Sequence, residues 1–277
     1  MRKVVLKSGE AVSALGLGTW KMGIGEPDEA GQIEALQAGM DLGLTLIDTA
    51  EMYGNGRSEA LVGKAIRGRR DGVFLVSKVL PENASREGTI AACERSLRHL
   101  GTDRIDLYLL HWRGRHPLAE TVEAFERLKR EGKIRHWGVS NLDPADMAEL
   151  SALPQAENCM ANQVMYNLAE RGIEWDLLPD AQKRHIAIMA YCPLGEGQLI
   201  DHPELVAIGR RHGVSAATVA LAWLLGRPGV IAIPKSRSAA RVRENAAALD
   251  LALSPEDLET LDRHFPPPHG PRPLAMT

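Results

Sequence analysis

LTLIDTAEMYGNGRSEALVG, residues 44–63, starts as a buried strand and then departs from one. Leu44 to Ile47 is apolar and partly β-branched, the composition of a strand interior. Asp48 ends the run, Tyr53 follows five residues later, and Gly54-Asn55-Gly56 makes a turn. A strand that only fills a core has no use for a carboxylate at its end.

The same apolar run with a polar end recurs along the chain. Strand candidates are ALGLGTW (14–20), TLIDTA (45–50), VFLVSK (73–78), DLYLLHW (106–112), IRHWGVSN (134–141), CMANQVMYN (159–167), AIMAYCPL (187–194) and GVIAIPKS (229–236). Near-continuous apolar runs of this length suit parallel strands buried on both faces. Helical spacing lies between them. Ile33, Leu36 and Met40 share one face before Gly43, and Ile90, Cys93, Leu97 and Leu100 do so before Gly101. Pro117 can open a helix carrying Val122, Phe125 and Leu128 that stops near Gly132, and residues 215–225 repeat the amphipathic pattern after Ser215 as N-cap. A hairpin is expected at 2–12, with Ser8-Gly9-Glu10 as its turn, and an irregular tail at PPPHGPRPLAMT. Eight strand–helix alternations in 277 residues point to an α/β (β/α)8 TIM barrel in a single domain, 1–277. The alternative is a doubly wound open sheet. That fold usually carries G-x-G-x-x-G after a strand, and GIGEPD (23–28) and GEGQLI (195–200) both lack the third glycine.

Barrel active sites sit at the C-terminal ends of the strands. Those ends carry Thr19-Trp20, Asp48 with Tyr53 beyond it, Lys78, His111-Trp112, Ser140-Asn141, Gln163 with Tyr166-Asn167, Tyr191, and Lys235-Ser236. Four of them make a chemical unit. A phenol with an unperturbed pKa of about 10 is a poor acid near neutrality. The Lys78 ammonium would lower that value by stabilising the phenolate, and Asp48 would hold Lys78 in place. Neutral His111 would hydrogen-bond a carbonyl and orient it. Singly, each has a simpler explanation: a helix cap for Asp48, a solvated Lys78, packing for Tyr53, a satisfied core imidazole for His111. Their joint appearance on strands 2, 3 and 4 favours chemistry. No His spacing or thiolate cluster marks a metal site, and Cys192 has no sequence-local base to make it a nucleophile.

Composition sets the outer bounds. At 44% hydrophobic and 25% charged, the chain reads as soluble and globular. A net charge of −3 gives no case for nucleic acid or an anionic membrane as partner. Three cysteines without a CxxC pair fit a reducing compartment, and the N-terminal MRKVVLKSGEAV has no apolar run long enough for a signal sequence, so a cytoplasmic protein is expected. No stretch approaches a membrane span.

Over nearly its whole length the sequence resembles the aldo-keto reductases. The motifs are LGLGTW (15–20), LIDTAEMYGN (46–55), VSK (76–78), DLYLLHW (106–112), GKIRHWGVSN (132–141), NQVMYN (162–167), YCPLG (191–195) and IPKSRSAARVRENAA (233–247). The resemblance implies that Asp48, Tyr53, Lys78 and His111 are the catalytic residues, with Tyr53 as general acid. It implies NADPH as cofactor. Ser140, Asn141 and Gln163 would hold the nicotinamide carboxamide and Tyr191 would stack on the ring. Lys235, Ser236 and Arg241 would surround the 2′-phosphate, with Glu244 and Asn245 near the adenine. Two cations and a hydroxyl suit a dianion, and cations at a helix start are unfavourable without one. Thr19, Trp20, Pro193, Leu194, Gly195 and Ile233 fall in the same cofactor motifs, and Trp20 and Trp112 would wall the substrate beside Tyr53 and His111.

Three features depart from the usual pattern. Cys192 stands where serine is common, Leu142 where phenylalanine is common, and the lids are short: 113–117 after strand 4, and a tail beyond Phe265 without large aromatics. The chain is most similar to short bacterial members that reduce methylglyoxal and similar small carbonyls. The expectation is an NADPH-dependent reductase of small aldehydes, 2-oxoaldehydes and activated ketones, as a monomer or weak oligomer. A Schiff-base aldolase using Lys78, or a cofactor-sensing regulatory protein on the same fold, are the rivals.

Overall fold

The structure is a computed structural model that describes residues 2–25 and 28–276; Glu26 and Pro27 of the 23–28 stretch and Thr277 of the tail lie outside them. Strands β1 (Lys3–Val5) and β2 (Ala11–Ser13) form the N-terminal hairpin. Eight further strands make one parallel sheet: β3 (Leu17–Gly18), β4 (Leu46–Asp48), β5 (Phe74–Val79), β6 (Ile105–Leu110), β7 (Ile134–Ser140), β8 (Cys159–Met165), β9 (Ala187–Tyr191) and β10 (Val230–Ala232). They are neighbours in strict chain order. The two edges then meet. Leu15 bridges Ala232 and Gly18 bridges Lys235, with the Gly16 N–H donating to the Ala232 carbonyl at 2.8 Å and the Gly18 N–H to the Pro234 carbonyl at 2.9 Å. A doubly wound sheet has two free edges, so closure selects the (β/α)8 barrel.

Helices cover the outside: α1 (Glu29–Asp41), α2 (Arg57–Ala65), α3 (Arg86–Leu100), α4 (Leu118–Arg130), α5 (Pro144–Ser151), α6 (Leu177–Lys183), α7 (Pro203–His212), α8 (Ala216–Leu225), α9 (Ala239–Ala246) and α10 (Pro255–His264). Local sequence sets their ends. Ser85, Asp143, Ser215 and Ser254 cap helix N-termini through their side chains, and Gly101 ends α3 in the left-handed region at φ 62°. One expectation fails. Segment 215–225 reads as amphipathic, yet all ten residues of α8 are buried, because α7 and the turn at Ala247–Leu249 pack on its outer side. Among the described residues, no helix is long and apolar enough to cross a membrane.

The strands divide their side chains by parity. Leu46, Phe74, Val76, Leu107, Leu109, Met189 and Ile231 fill the barrel interior with Leu6 and Val12 of the hairpin, which plugs the N-terminal end. Ile47, Leu75, Tyr108, Leu110, Ile188 and Ala190 face the helices. Each such aliphatic side chain stabilises the fold by roughly 1.5–3 kcal/mol when fully buried. Continuing the inward parity to the C-terminal ends gives Asp48, Lys78, His111, Ser140, Gln163 and Tyr191. The interior layers therefore end in a polar one.

Candidate active site

That polar layer opens into a cavity of about 960 Å³. Asp48, Tyr53, His111, Trp20 and Trp112 line one end, and Lys235, Ser236, Arg241, Glu244 and Asn245 the other. Thr19, Ser140, Asn141, Gln163, Tyr191, Pro193, Leu194 and Ile233 lie between. Two residues expected at the site do not reach its surface. Gly195 is not part of the wall, and Lys78 lies behind it, fully buried.

Burial explains how Lys78 is held. Its ammonium donates to both oxygens of Asp48 at 2.8 Å, to the Thr49 carbonyl at 2.8 Å and, at a longer 3.4 Å, to the Tyr53 hydroxyl. Desolvation lowers the Lys78 pKa from the ordinary lysine value, and Asp48 opposes the fall. The expected lowering of the Tyr53 pKa is not found. Burial, with Asp48 adding to it, pushes the phenol well above its ordinary value. Desolvation is the largest cause, and Asp48, Cys192 and Tyr191 act in the same direction. The phenol is consequently protonated at neutral pH, the form a proton donor needs. His111 is neutral, because burial and then the Lys78 charge push its pKa well below the ordinary imidazole value. Its ring meets Tyr53 edge-on at 5.8 Å and lies 4.8 Å from the Trp112 ring.

A hydrogen-bonded chain runs from this group along the cavity. Gln163 Nε2 donates to Asp48 Oδ1 at 2.7 Å, and Ser140 Oγ donates to the Gln163 carbonyl at 2.8 Å. Asn141 Nδ2 donates to the His111 carbonyl at 3.2 Å, and Tyr191 OH donates to Asn141 Oδ1 at 3.0 Å. Thr19 is tied in by its own hydroxyl, which donates to the Asp48 carbonyl at 2.9 Å. The bond from Gln163 to Asp48 has no local signal in sequence, since 115 residues separate them. At the far end, Ser238 caps α9 and directs that helix N-terminus toward the cavity wall formed by Lys235, Ser236 and Arg241. The helix dipole and the cations together favour an anion there.

Backbone strain gathers at the same place. Lys21, Asn141, Cys192 and Glu196, all on the wall, take the left-handed region without being glycine. Burial pushes the Cys192 thiol up to about 11, so it is no thiolate nucleophile at neutral pH. Sequence reading missed the apolar rim. Met52, Ile200 and Met276, at 38%, 43% and 52% exposure, line the mouth. Met276 belongs to the irregular tail, which folds back to the cavity over a distance that no local pattern encodes.

Comparison with known proteins gives consistent results. The family model described as the aldo/keto reductase family matches residues 14–265. The chain is 49% identical to methylglyoxal reductase YeaE of Escherichia coli (strain K12), with 99% of each chain covered. It is 38% identical to a glyoxal reductase of Bacillus subtilis (strain 168), covering 94% of this chain and 91% of that protein. The crystal structure of an aldo-keto reductase from Klebsiella pneumoniae in complex with NADPH superimposes with a TM-score of 0.97 at 50% identity, covering 100% of this chain and 99% of the other.

Proposed function

The chain belongs to the aldo/keto reductase family, and on that premise we propose that it reduces small aldehydes, 2-oxoaldehydes and activated ketones with NADPH, using Tyr53 as the proton donor. The observation that carries this reading is Lys78, fully buried between Asp48 at 2.8 Å and the Tyr53 hydroxyl at 3.4 Å, with neutral His111 on the same cavity. Ser140, Asn141 and Gln163 would hold the carboxamide of the cofactor, Tyr191 its ring, and Lys235, Ser236 and Arg241 its 2′-phosphate. The donor set fits: amides and hydroxyls meet the neutral end, and cations beside a helix N-terminus meet the anionic end. Bound NADPH supplies the hydride. The Tyr53 hydroxyl and the His111 imidazole would hydrogen-bond the carbonyl oxygen. As negative charge builds there, Tyr53 passes its proton to that oxygen, and the Lys78 ammonium stabilises the phenolate left behind.

The substrate class agrees with what the bacterial relatives named above reduce, and with the apolar side chains of Trp20, Trp112 and Met52 on the cavity wall. Residues 1–277 are read as one domain, since the hairpin, α10 and the tail all pack on the one barrel. Three free cysteines support a cytoplasmic setting. The aldolase alternative is weakened by Lys78 itself. Its nitrogen is saturated by Asp48 and Thr49 and does not line the cavity, so a carbonyl has no path to it. The presence of all four of Asp48, Tyr53, Lys78 and His111 weighs against the regulatory alternative, and turnover separates it. With methylglyoxal or phenylglyoxal present, NADPH should be consumed with multiple turnovers and stoichiometric alcohol formation. Tight NADPH binding without turnover on any carbonyl would overturn the reductase reading in favour of a cofactor sensor.

A further inference from the structure

Beyond the pairing of Asp48 with Val76, β4 and β5 part, yet each still has a reactive group to deliver: Tyr53 five residues past Asp48, and Lys78 two past Val76. The sheet ladder therefore does not set the distance between them. Glu51 lies in the gap. Its side chain is only 9% exposed and points away from the cavity wall. Glu51 Oε1 accepts the Leu80 N–H at 2.7 Å and Asn83 Nδ2 at 2.9 Å, and Oε2 accepts from Arg95 Nη2 at 3.1 Å. The Glu51 N–H reaches the Lys78 carbonyl at 3.4 Å, and the Glu51 carbonyl accepts the Gly56 N–H at 3.0 Å, closing the turn around Tyr53. One residue thus bonds the loop carrying Tyr53, through main chain and side chain, to the segment that begins at Lys78.

We propose that Glu51 is a positioning residue that sets the separation of the Tyr53 hydroxyl and the Lys78 ammonium. The inference rests on the reading of Tyr53 as proton donor. The contact it controls is the loosest of the four that Lys78 makes, at 3.4 Å against 2.8 Å for the other three. A small slide of one loop along the other would break it first. Arg95 is not the point of the arrangement: its side chain is 42% exposed, and such an ion pair contributes little. The acceptor reach of Glu51 to the Leu80 N–H is what matters.

Three substitutions in the full chain test this. Glu51→Asp keeps the charge but shortens the reach by about 1.5 Å. Glu51→Gln keeps the reach and an acceptor but loses the charge, and Glu51→Ala removes both. For methylglyoxal reduction, Asp and Ala should lower kcat by about tenfold or more, with KM for NADPH within about twofold of wild type. The Gln variant should stay within about threefold of wild-type kcat. In the reverse direction, alcohol oxidation with NADP needs Tyr53 deprotonated, so its pH limb should move upward by about half a unit or more in Asp, where the ammonium has moved away, and stay in place in Gln. A merely structural role would lower stability without moving that limb. NADPH binding shows that each variant is folded, and the Asp and Gln pair decides the matter alone if Ala does not fold. Asp retaining kcat within about twofold, or Gln as impaired as Ala, would overturn the proposal. If the wild-type protein itself reduces no carbonyl, it is the reductase reading that fails.

Discussion

The Asp48 carboxylate accepts three hydrogen bonds, two from Lys78 and one from Gln163, and among the described residues it is the sole carboxylate bonded to that buried ammonium. Asp48→Asn would leave the charge of Lys78 buried and uncompensated, which costs about 3–5 kcal/mol. Urea unfolding of the variant should show a loss of that order; a loss below about 1 kcal/mol would mean that Lys78 is neutral in the folded protein. Arg241, at the other end of the cavity, tests the cofactor assignment. Arg241→Ala should weaken NADPH by about 1.5–3 kcal/mol, roughly ten- to more than a hundred-fold, and NADH much less. Equal losses measured by fluorescence titration would refute a 2′-phosphate at that position. At this scale much was legible in sequence. An apolar run ended by Asp48, Lys78 or His111 is visible in one dimension, and inward parity follows from counting. The direction of the Tyr53 shift was not. It depends on how much water the fold removes around the phenol and on the Asp48 carboxylate brought near it, and the first of these is not local.

Elements close this barrel through close backbone approach. A Cβ on Gly18 would sit 2.9 Å from the Ile233 carbonyl oxygen, so the β3 and β10 edges meet only because that side chain is absent. Gly18→Ala should destabilise the protein by about 1–3 kcal/mol, whereas Gly72→Ala, with nothing within 4 Å and no left-handed φ, should change little. Thermal unfolding of the pair checks this, and equal melting temperatures would contradict it. The strands were readable as apolar runs, although β3 and β10 are shorter than ALGLGTW and GVIAIPKS imply. Their remaining residues bend into the site rather than extend the ladder. Burial of α8 on every side was not readable, because its outer cover comes from α7 and from residues 247–249, and periodicity within 215–225 holds no record of a second layer.

The molecule as a whole sets the size of its substrate. Only residues 111–117 separate β6 from α4, and the tail contributes Met276 but no large aromatic to the mouth. A steroid ketone would leave much of its surface in water, and remote surface aids catalysis only where protein surrounds it. A 2-oxoaldehyde loses little, since its reactivity lies in the carbonyl. At saturating NADPH, kcat/KM should be higher for methylglyoxal, phenylglyoxal or nitrobenzaldehyde than for any steroid or simple aliphatic ketone. A steroid ketone exceeding all three would contradict the short-lid argument. Barrel topology was legible from eight alternations, but closure was not, since the bond from Gly16 to Ala232 joins residues more than two hundred positions apart. The return of the tail to the mouth was hidden for the same reason.

The central claim is that Tyr53 delivers the proton while the rest of the cavity binds the cofactor. The most direct measurement compares kcat for methylglyoxal reduction and Kd for NADPH in the wild-type protein and Tyr53→Phe. Removing one hydroxyl should lower kcat by about a hundredfold or more and leave Kd within about twofold. A variant that keeps more than about a tenth of the wild-type kcat would show that another group is the acid.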